Sequence, residues 1–370
     1  MTRSPLQISS RLSLNLLAVA GIALGGCSSS SNSSNASSRG DGGSDAGSGS
    51  EAASGSCMPG SAGPCTSYTT PLADSGTTIQ LGPYGASSDV NIGTGFENQI
   101  QMGDMAGSTY CKTFIDGVFG PDPAFSAQVD QILMGTANGV SIDYSLYTAY
   151  RPATWPTAPV PVITWGNGTC APPESYGALL RYVASYGFFV IAANSREVGS
   201  GSPAPMLHAL DFAAAANQDK TSPYYGKLDM TKVGAMGHSQ GAMATASAAS
   251  DPRVLDIILF NGGDTSSKPY LAVSGDTDLT FYTPSAMAAA IDASTVPAAW
   301  LYFHQIDVIG KSFSGHLTLQ TQPERVAEPA KDWWQMMLQN TPAAQAEFVG
   351  PSCGLCGDAG AQEFGENNLP

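Results

Sequence analysis

From residue 160 to residue 339 the chain alternates short apolar runs with amphipathic stretches. This rhythm restricts the fold more than any other feature of the sequence. Residues 160–165, 188–193, 232–236, 254–260, 269–274 and 298–306 are too short for buried helices and read as strands. Residues 139–151 alternate well enough to be a further strand upstream. Between them, 174–186, 205–217, 242–249, 284–291 and 328–339 read as helices. Parallel strands need crossover connections, and helices supply them. The expected architecture is therefore α/β, a mostly parallel central sheet with helices on both faces. In such sheets chemistry collects at the carboxyl ends of the strands.

One of those ends carries an unusual turn. Residues 232–242 read KVGAMGHSQGA: a buried strand, the turn Gly237-His238-Ser239-Gln240-Gly241, then an Ala-rich helix. A Ser on such a corner has its hydroxyl lifted above the sheet. The two glycines are there because a Cβ at either place would meet the neighbouring strand or helix. The bare G-x-S-x-G pattern is weak in a chain with 42 glycines. A second match, Gly350-Pro351-Ser352-Cys353-Gly354, follows no strand, opens no helix and has no His after it.

A Ser hydroxyl needs a base, and the base needs a carboxylate to orient it. The chain has 4 histidines. His238 lies in the turn itself and is expected to point away from Ser239. His208 precedes the elbow on a helix. His304 lies in a strand. His316 follows the last strand in a loop with Gly315 beside it, and is the expected base. The acid is expected just past strand 269–274, where the chain reads Ser274-Gly275-Asp276-Thr277-Asp278. Asp278 is favoured and Asp276 is the alternative, with the other Asp bracing the loop.

The order Ser239, Asp278, His316 is that of α/β-hydrolases. With GHSQGA at the elbow, SGDTDL at the acid, SGHL at the His and WGNGT after strand 160–165, residues 139–340 resemble an α/β-hydrolase of the dienelactone-hydrolase, cutinase and polyester-hydrolase branch. The resemblance implies a serine carboxylic ester hydrolase working through an acyl-enzyme on short-to-medium acyl esters, polyesters or cutin-like substrates, without a cofactor or metal. It implies oxyanion donors at the backbone N–H of Gln240 and of Asn167, with Gly168 in reserve. Trp165, Tyr176 and Trp300 are the candidate aromatic walls of the substrate cleft, with core packing the alternative for Trp300. Only the short segment 261–269 separates two strands where many lipases insert a lid, so no large lid domain and an open cleft are expected. Polyester hydrolases of this type often carry a Trp after the strand following the elbow; this chain has Asn261-Gly262-Gly263. The alternatives are a non-catalytic binding module, or a serine peptidase, on the same fold.

The ends of the chain point to export. Arg3 and Arg11 flank the start of an apolar run too short to span a bilayer, and Leu24-Gly25-Gly26-Cys27 resembles a bacterial lipobox. Residues 1–26 thus read as a lipoprotein signal, 27–56 as a Ser/Gly-rich tether, 57–350 as the catalytic domain with an N-terminal decoration at 57–135, and 351–370 as a Cys-containing tail. The expected location is outside the cytoplasm, as an outer-membrane lipoprotein or an extracellular protein. Cys27 would be the one membrane link. The formal charge of −15 argues against nucleic acid as a partner, and a monomer is expected. The six cysteines besides Cys27 suit disulfides. Cys57–Cys65 reads as a local pair, and Cys353-Gly-Leu-Cys356 reads as a clip because no second Cys or His pair completes a zinc site.

Overall fold

The computed structural model describes residues 55–57, 61, 63–69, 78–93, 142–195, 202–263, 265–278, 283–304, 314–357 and 360–370. The signal-like segment, most of the tether, Cys27, Cys111 and residues 94–141 lie outside them.

The strands are β1 (Ser56–Cys57), β2 (Ser67–Thr69), β3 (Thr78–Gln80), β4 (Ala86–Ile92), β5 (Tyr147–Pro152), β6 (Val160–Gly166), β7 (Phe189–Ala193), β8 (Leu228–His238), β9 (Val254–Phe260), β10 (Tyr270–Gly275), β11 (Ala298–Phe303) and β12 (Gln362–Asn367). The helices are α1 (Gly177–Ala184), α2 (Ala204–Gln218), α3 (Gln240–Ala248), α4 (Pro284–Asp292), α5 (Thr318–Thr321), α6 (Pro323–Met337) and α7 (Pro342–Phe348). β1 to β3 form a small sheet. The other strands form a 9-stranded sheet in the order β12-β11-β10-β9-β8-β6-β7-β5-β4. From β7 across to β11 the neighbours run parallel. β12, at one edge, and β5 and β4, at the other, pair antiparallel.

Alternate strand residues enter two apolar layers, as the period of a pleated strand requires. Ile163, Met236, Ile258, Leu271 and Leu301 pack with Leu179, Leu180 and Val183 of α1 and with Val326, Trp333 and Trp334 of α6. Val162, Ala235, Ile257, Ala272 and Trp300 pack with Met206 and Leu210 of α2, Ala242 of α3, and Met287 and Ile291 of α4. Burial on both faces is why the central strands read as nearly unbroken apolar runs.

Several boundaries differ from the sequence reading. Of the expected strand 139–151, residues 139–141 lie outside the described residues, and from 142 on the strand starts only at Tyr147, because Ser145 folds back to donate both its N–H and its hydroxyl to Asp143 Oδ1 (2.9 and 2.7 Å), an Asx turn ahead of the strand. The helix expected over 174–186 is a 3-10 turn, Pro173–Tyr176, followed by α1. α6 begins at Pro323 and carries Pro329 inside it. The expected tail instead supplies β12, a polar edge strand held along β11. Disulfides join Cys57 to Cys65 and Cys353 to Cys356, and Cys170 is disulfide-bonded as well.

The N-terminal decoration is tied to the main sheet by a buried cation. Arg181, fully buried on α1, donates to Glu174 Oε1 (2.8 Å), to the Ser61 carbonyl (2.9 Å) and to Ser88 Oγ (3.1 Å). The rings of Tyr68 and Tyr150 lie 4.9 and 5.1 Å from its guanidinium, and Tyr150 donates to Glu174 Oε2 (2.9 Å). Such a pair is tolerated because nearly all its lone pairs and protons find partners.

Asp256 of β9 is a different case. It is buried, its Oδ1 accepts from the Trp333 indole (2.6 Å), and its Oδ2 has no partner among the described residues. Burial outweighs the Trp333 and Ile257 hydrogen bonds and holds its pKa well above the carboxylate range. The unfolded chain therefore releases this proton first, so stability is lost as pH rises above about 4. Asp256→Asn should remove that loss: equal to wild type near pH 3 and more stable at pH 7 in urea unfolding. Parallel stability curves for the two proteins would contradict this.

Candidate active site

β8 ends at His238, and Ser239 follows with φ 56° and ψ −118°, a left-handed conformation rare for a residue with a Cβ. The corner is sharp because α3 packs directly under the sheet. A Cβ on Gly237 would meet the Gly241 carbonyl, and one on Gly241 would meet the Gly166 carbonyl at the end of β6. Ser239 donates its N–H to the Phe260 carbonyl (2.9 Å) on β9. Its own carbonyl accepts from Ala242 (3.0 Å) and Met243 (3.3 Å) as α3 begins. Gln240, the first residue of α3, presents one of the N–H groups that a helix leaves unpaired at its start.

Ser239 meets two side chains distant in sequence. His316 sits in the 3-10 turn Ser314–Leu317 beyond β11, and Asp278 lies just past β10. His316 Nδ1 is 2.7 Å from Asp278 Oδ1, and His316 Nε2 is 3.0 Å from Ser239 Oγ. A carboxylate can only accept, so Nδ1 donates to Asp278. In the neutral ring Nε2 then accepts from the Ser239 hydroxyl. All three residues follow the carboxyl ends of parallel strands. A Cβ at position 315 would strike the Asp276 carbonyl, so glycine lets the His turn approach the acid loop.

The carboxylate is held by more than His316. Asp278 Oδ2 accepts from Asn261 Nδ2 (2.6 Å) and from Ser274 Oγ (2.6 Å). Burial alone would raise its pKa. The neighbouring His316 and the bonds from His316, Ser274 and Asn261 outweigh it and hold the pKa far below the usual range. Asn261 also donates to the Gly315 carbonyl (3.1 Å). It occupies a left-handed position (φ 53°) at the end of β9, where Asn is tolerated. Neither Asn261 nor Ser274 was expected at the site. The readable signal is Asn followed by two glycines directly after a strand.

Asp276, the alternative acid, faces elsewhere. Its carboxylate lies 3.2 Å from His304 Nδ1, and His304 Nε2 lies 2.8 Å from Glu363 Oε1 on β12. The alternative acid thus pairs with the strand histidine His304 at the sheet edge. Among the described residues no group of His, Cys, Asp and Glu is arranged to hold a metal.

Trp165 and Tyr176, expected as cleft walls, are 1% and 0% exposed and pack against each other within the core. The turn through Gly168 draws Tyr176 inward, because the Gly168 N–H donates to Tyr176 Oη (3.1 Å). That bond also commits the reserve oxyanion donor. The Asn167 side chain accepts from Trp165 Nε1 (2.8 Å) and donates to the Ala193 and Ser195 carbonyls (both 2.7 Å), which fixes the turn across the end of β7. Trp300 is a core residue.

His238 does point away from Ser239, but not into empty structure. Its Nε2 lies 2.7 Å from the His316 carbonyl and its Nδ1 3.0 Å from Tyr176 Oη. Burial, with His316 close by, depresses its pKa to about 3 against the weaker pull of the His316 carbonyl and Asp278, so the ring is neutral.

The His304 bridge has a measurable consequence. Partial burial disfavours its charge, but hydrogen bonds to Glu363 and Asp276 and their charges outweigh this and raise its pKa. A raised folded-state pKa stabilises fully below the unfolded value of about 6.5, and the gain fades as pH climbs through the folded value. The thermal midpoint of His304→Gln should therefore lie below that of wild type at pH 6 and converge with it at pH 9. A gap independent of pH would rule out the charged bridge. No family model matches the sequence, and no curated protein matches it either.

Proposed function

We propose that the protein is a serine ester hydrolase of the α/β-hydrolase fold, exported and lipid-anchored at Cys27, acting on short-to-medium acyl esters. The observation that carries this reading is the imidazole of His316 bridging the hydroxyl of Ser239 and the buried carboxylate of Asp278. The strained strand-turn-helix corner supports it, as does the chain order Ser239, Asp278, His316.

In the first half-reaction His316 Nε2 takes the Ser239 proton while Oγ attacks the ester carbonyl carbon. The carbonyl electrons move onto oxygen, and the imidazolium that forms is stabilised by Asp278, which stays ionised. The oxyanion is received by the N–H of Gln240 and the N–H of Asn167. Close packing of Gly241 against Gly166 keeps these two turns adjacent. Collapse breaks the ester C–O bond, and His316 returns its proton to the leaving alcohol. Water then enters, loses a proton to His316 and attacks the acyl carbon. The second collapse releases the acid and restores the Ser239 hydroxyl. The co-reactant is water alone, and the net change is one ester and one water to one acid and one alcohol.

A fluorophosphonate probe should label wild type and fail to label Ser239→Ala; equal labelling of both removes the reading. Turnover of p-nitrophenyl acyl esters from acetyl to palmitoyl should be greatest at the short-to-medium end and exceed turnover of peptide anilides, whereas preference for anilides would point to a peptidase. Asp278→Asn should lower kcat by about 10⁴-fold, as loss of the orienting carboxylate does in serine hydrolases. Asp276→Asn should stay near wild type, and the reverse ranking would reassign the acid.

A further inference from the structure

One buried polar side chain at the site takes no part in the steps above. His238 is 2% exposed, and both its ring nitrogens are engaged. The proton positions follow from the partners. The His316 carbonyl can only accept, so His238 Nε2 carries the hydrogen. Nδ1 of the neutral ring must then accept, and Tyr176 supplies the proton. Tyr176 Oη in turn accepts from the Gly168 N–H. A directed chain therefore runs from the turn at Gly168 through Tyr176 and His238 to the main chain of His316. Space for it is tight: a Cβ on Gly168 would lie 2.8 Å from both His238 Nδ1 and Tyr176 Oη.

We propose that His238 is a positioning residue for His316, anchoring the main chain of the base to the end of the elbow strand so that Nε2 stays on Ser239 Oγ. The inference rests on the serine-hydrolase reading. It is carried by the geometry of the His turn. The carbonyls of consecutive residues 315 and 316 are each gripped from a neighbouring strand, Gly315 by Asn261 after β9 (3.1 Å) and His316 by His238 of β8 (2.7 Å). The side chains that grip the turn stand beside the nucleophile and the acid. Ser239 is the next residue after His238, and Asn261 also binds Asp278. The two ring centroids are 4.7 Å apart, so a tilt of one ring is felt by the other. His238 cannot serve as a second base, since its one acceptor nitrogen already faces Tyr176.

Amide side chains separate this role from simple core packing. A Gln amide reaches the place of His Nε2 and can still donate to the His316 carbonyl; an Asn amide reaches only the place of Nδ1. His238→Asn should lower kcat by about 10²-fold at nearly unchanged KM, the scale of an ångström-level misplacement of a catalytic group. His238→Gln should recover about tenfold of that loss. Tyr176→Phe, which keeps the ring packing and leaves His238 Nδ1 without its donor, should lower kcat by about tenfold with the thermal midpoint recorded alongside. Equal losses in the Asn and Gln variants, or wild-type kcat in Tyr176→Phe, would overturn the proposal. Ser239→Ala in the same assay separates the two readings. If it still hydrolyses the ester, the serine mechanism itself fails; if it is inactive while the His238 variants keep wild-type kcat, only the positioning role fails.

Discussion

The closeness of three glycines holds the site together. Gly166, Gly237 and Gly241 let the first turn of α3 lie against the ends of β6 and β8 with no side chain between them. That contact forces the backbone at Ser239 into φ 56°, a conformation costing on the order of 1–3 kcal/mol in a residue with a Cβ. The surroundings over-determine it: the Ser239 N–H is bound to β9 and its carbonyl to α3. A larger residue at 241 would push α3 off the sheet. The hydroxyl would turn away from His316, and the turn at Asn167 would part from the start of the helix.

Two carboxylates two residues apart show how environment divides roles within one loop. Asp278 is enclosed, accepts three side-chain hydrogen bonds and faces His316. Asp276 is exposed enough to pair with His304, which also holds Glu363 of the edge strand. A desolvated carboxylate is costly unless its lone pairs are filled, and the donors around Asp278 fill them. The left-handed Thr277 between them (φ 63°) turns the two side chains in different directions.

The sheet was legible because its central strands are buried on both faces, and burial leaves apolar runs that any window detects. The elbow was legible because its glycines answer a local clash. What stayed hidden depends on contacts across the sheet. β12 (QEFGEN) carries one large apolar side chain, Phe364, packed on the core, and one residue shows no period; its place comes from pairing with β11. The sequence pattern starts α6 at residue 328, whereas the helix begins at Pro323 and carries Pro329 inside it, a place proline seldom takes. An aromatic such as Tyr176 near a strand end has the pattern of a substrate wall, and the Gly168 N–H that claims its hydroxyl leaves no trace in that pattern. His238 and Asn261 were hidden for the same reason: their partners, the carbonyls of His316 and Gly315, have no signature in the sequence.

The buried Arg181 connects these observations to the decoration that precedes the main sheet. Glu174, its partner, lies on the same 3-10 turn as Tyr176. The guanidinium is capped by Tyr68 of β2 and by groups at Ser61 and Ser88, all from the N-terminal segment. Removing that segment would leave a buried charge with fewer partners than it needs, which is more costly than never having buried it. The turn bearing Glu174 would then have reason to reopen toward water, carrying Tyr176 away from Gly168 and His238. Ser61, Tyr68 and Ser88 are therefore not an ornament on the sheet. They keep one buried cation satisfied, and through it they keep in place the turn on which the polar network under Ser239 rests.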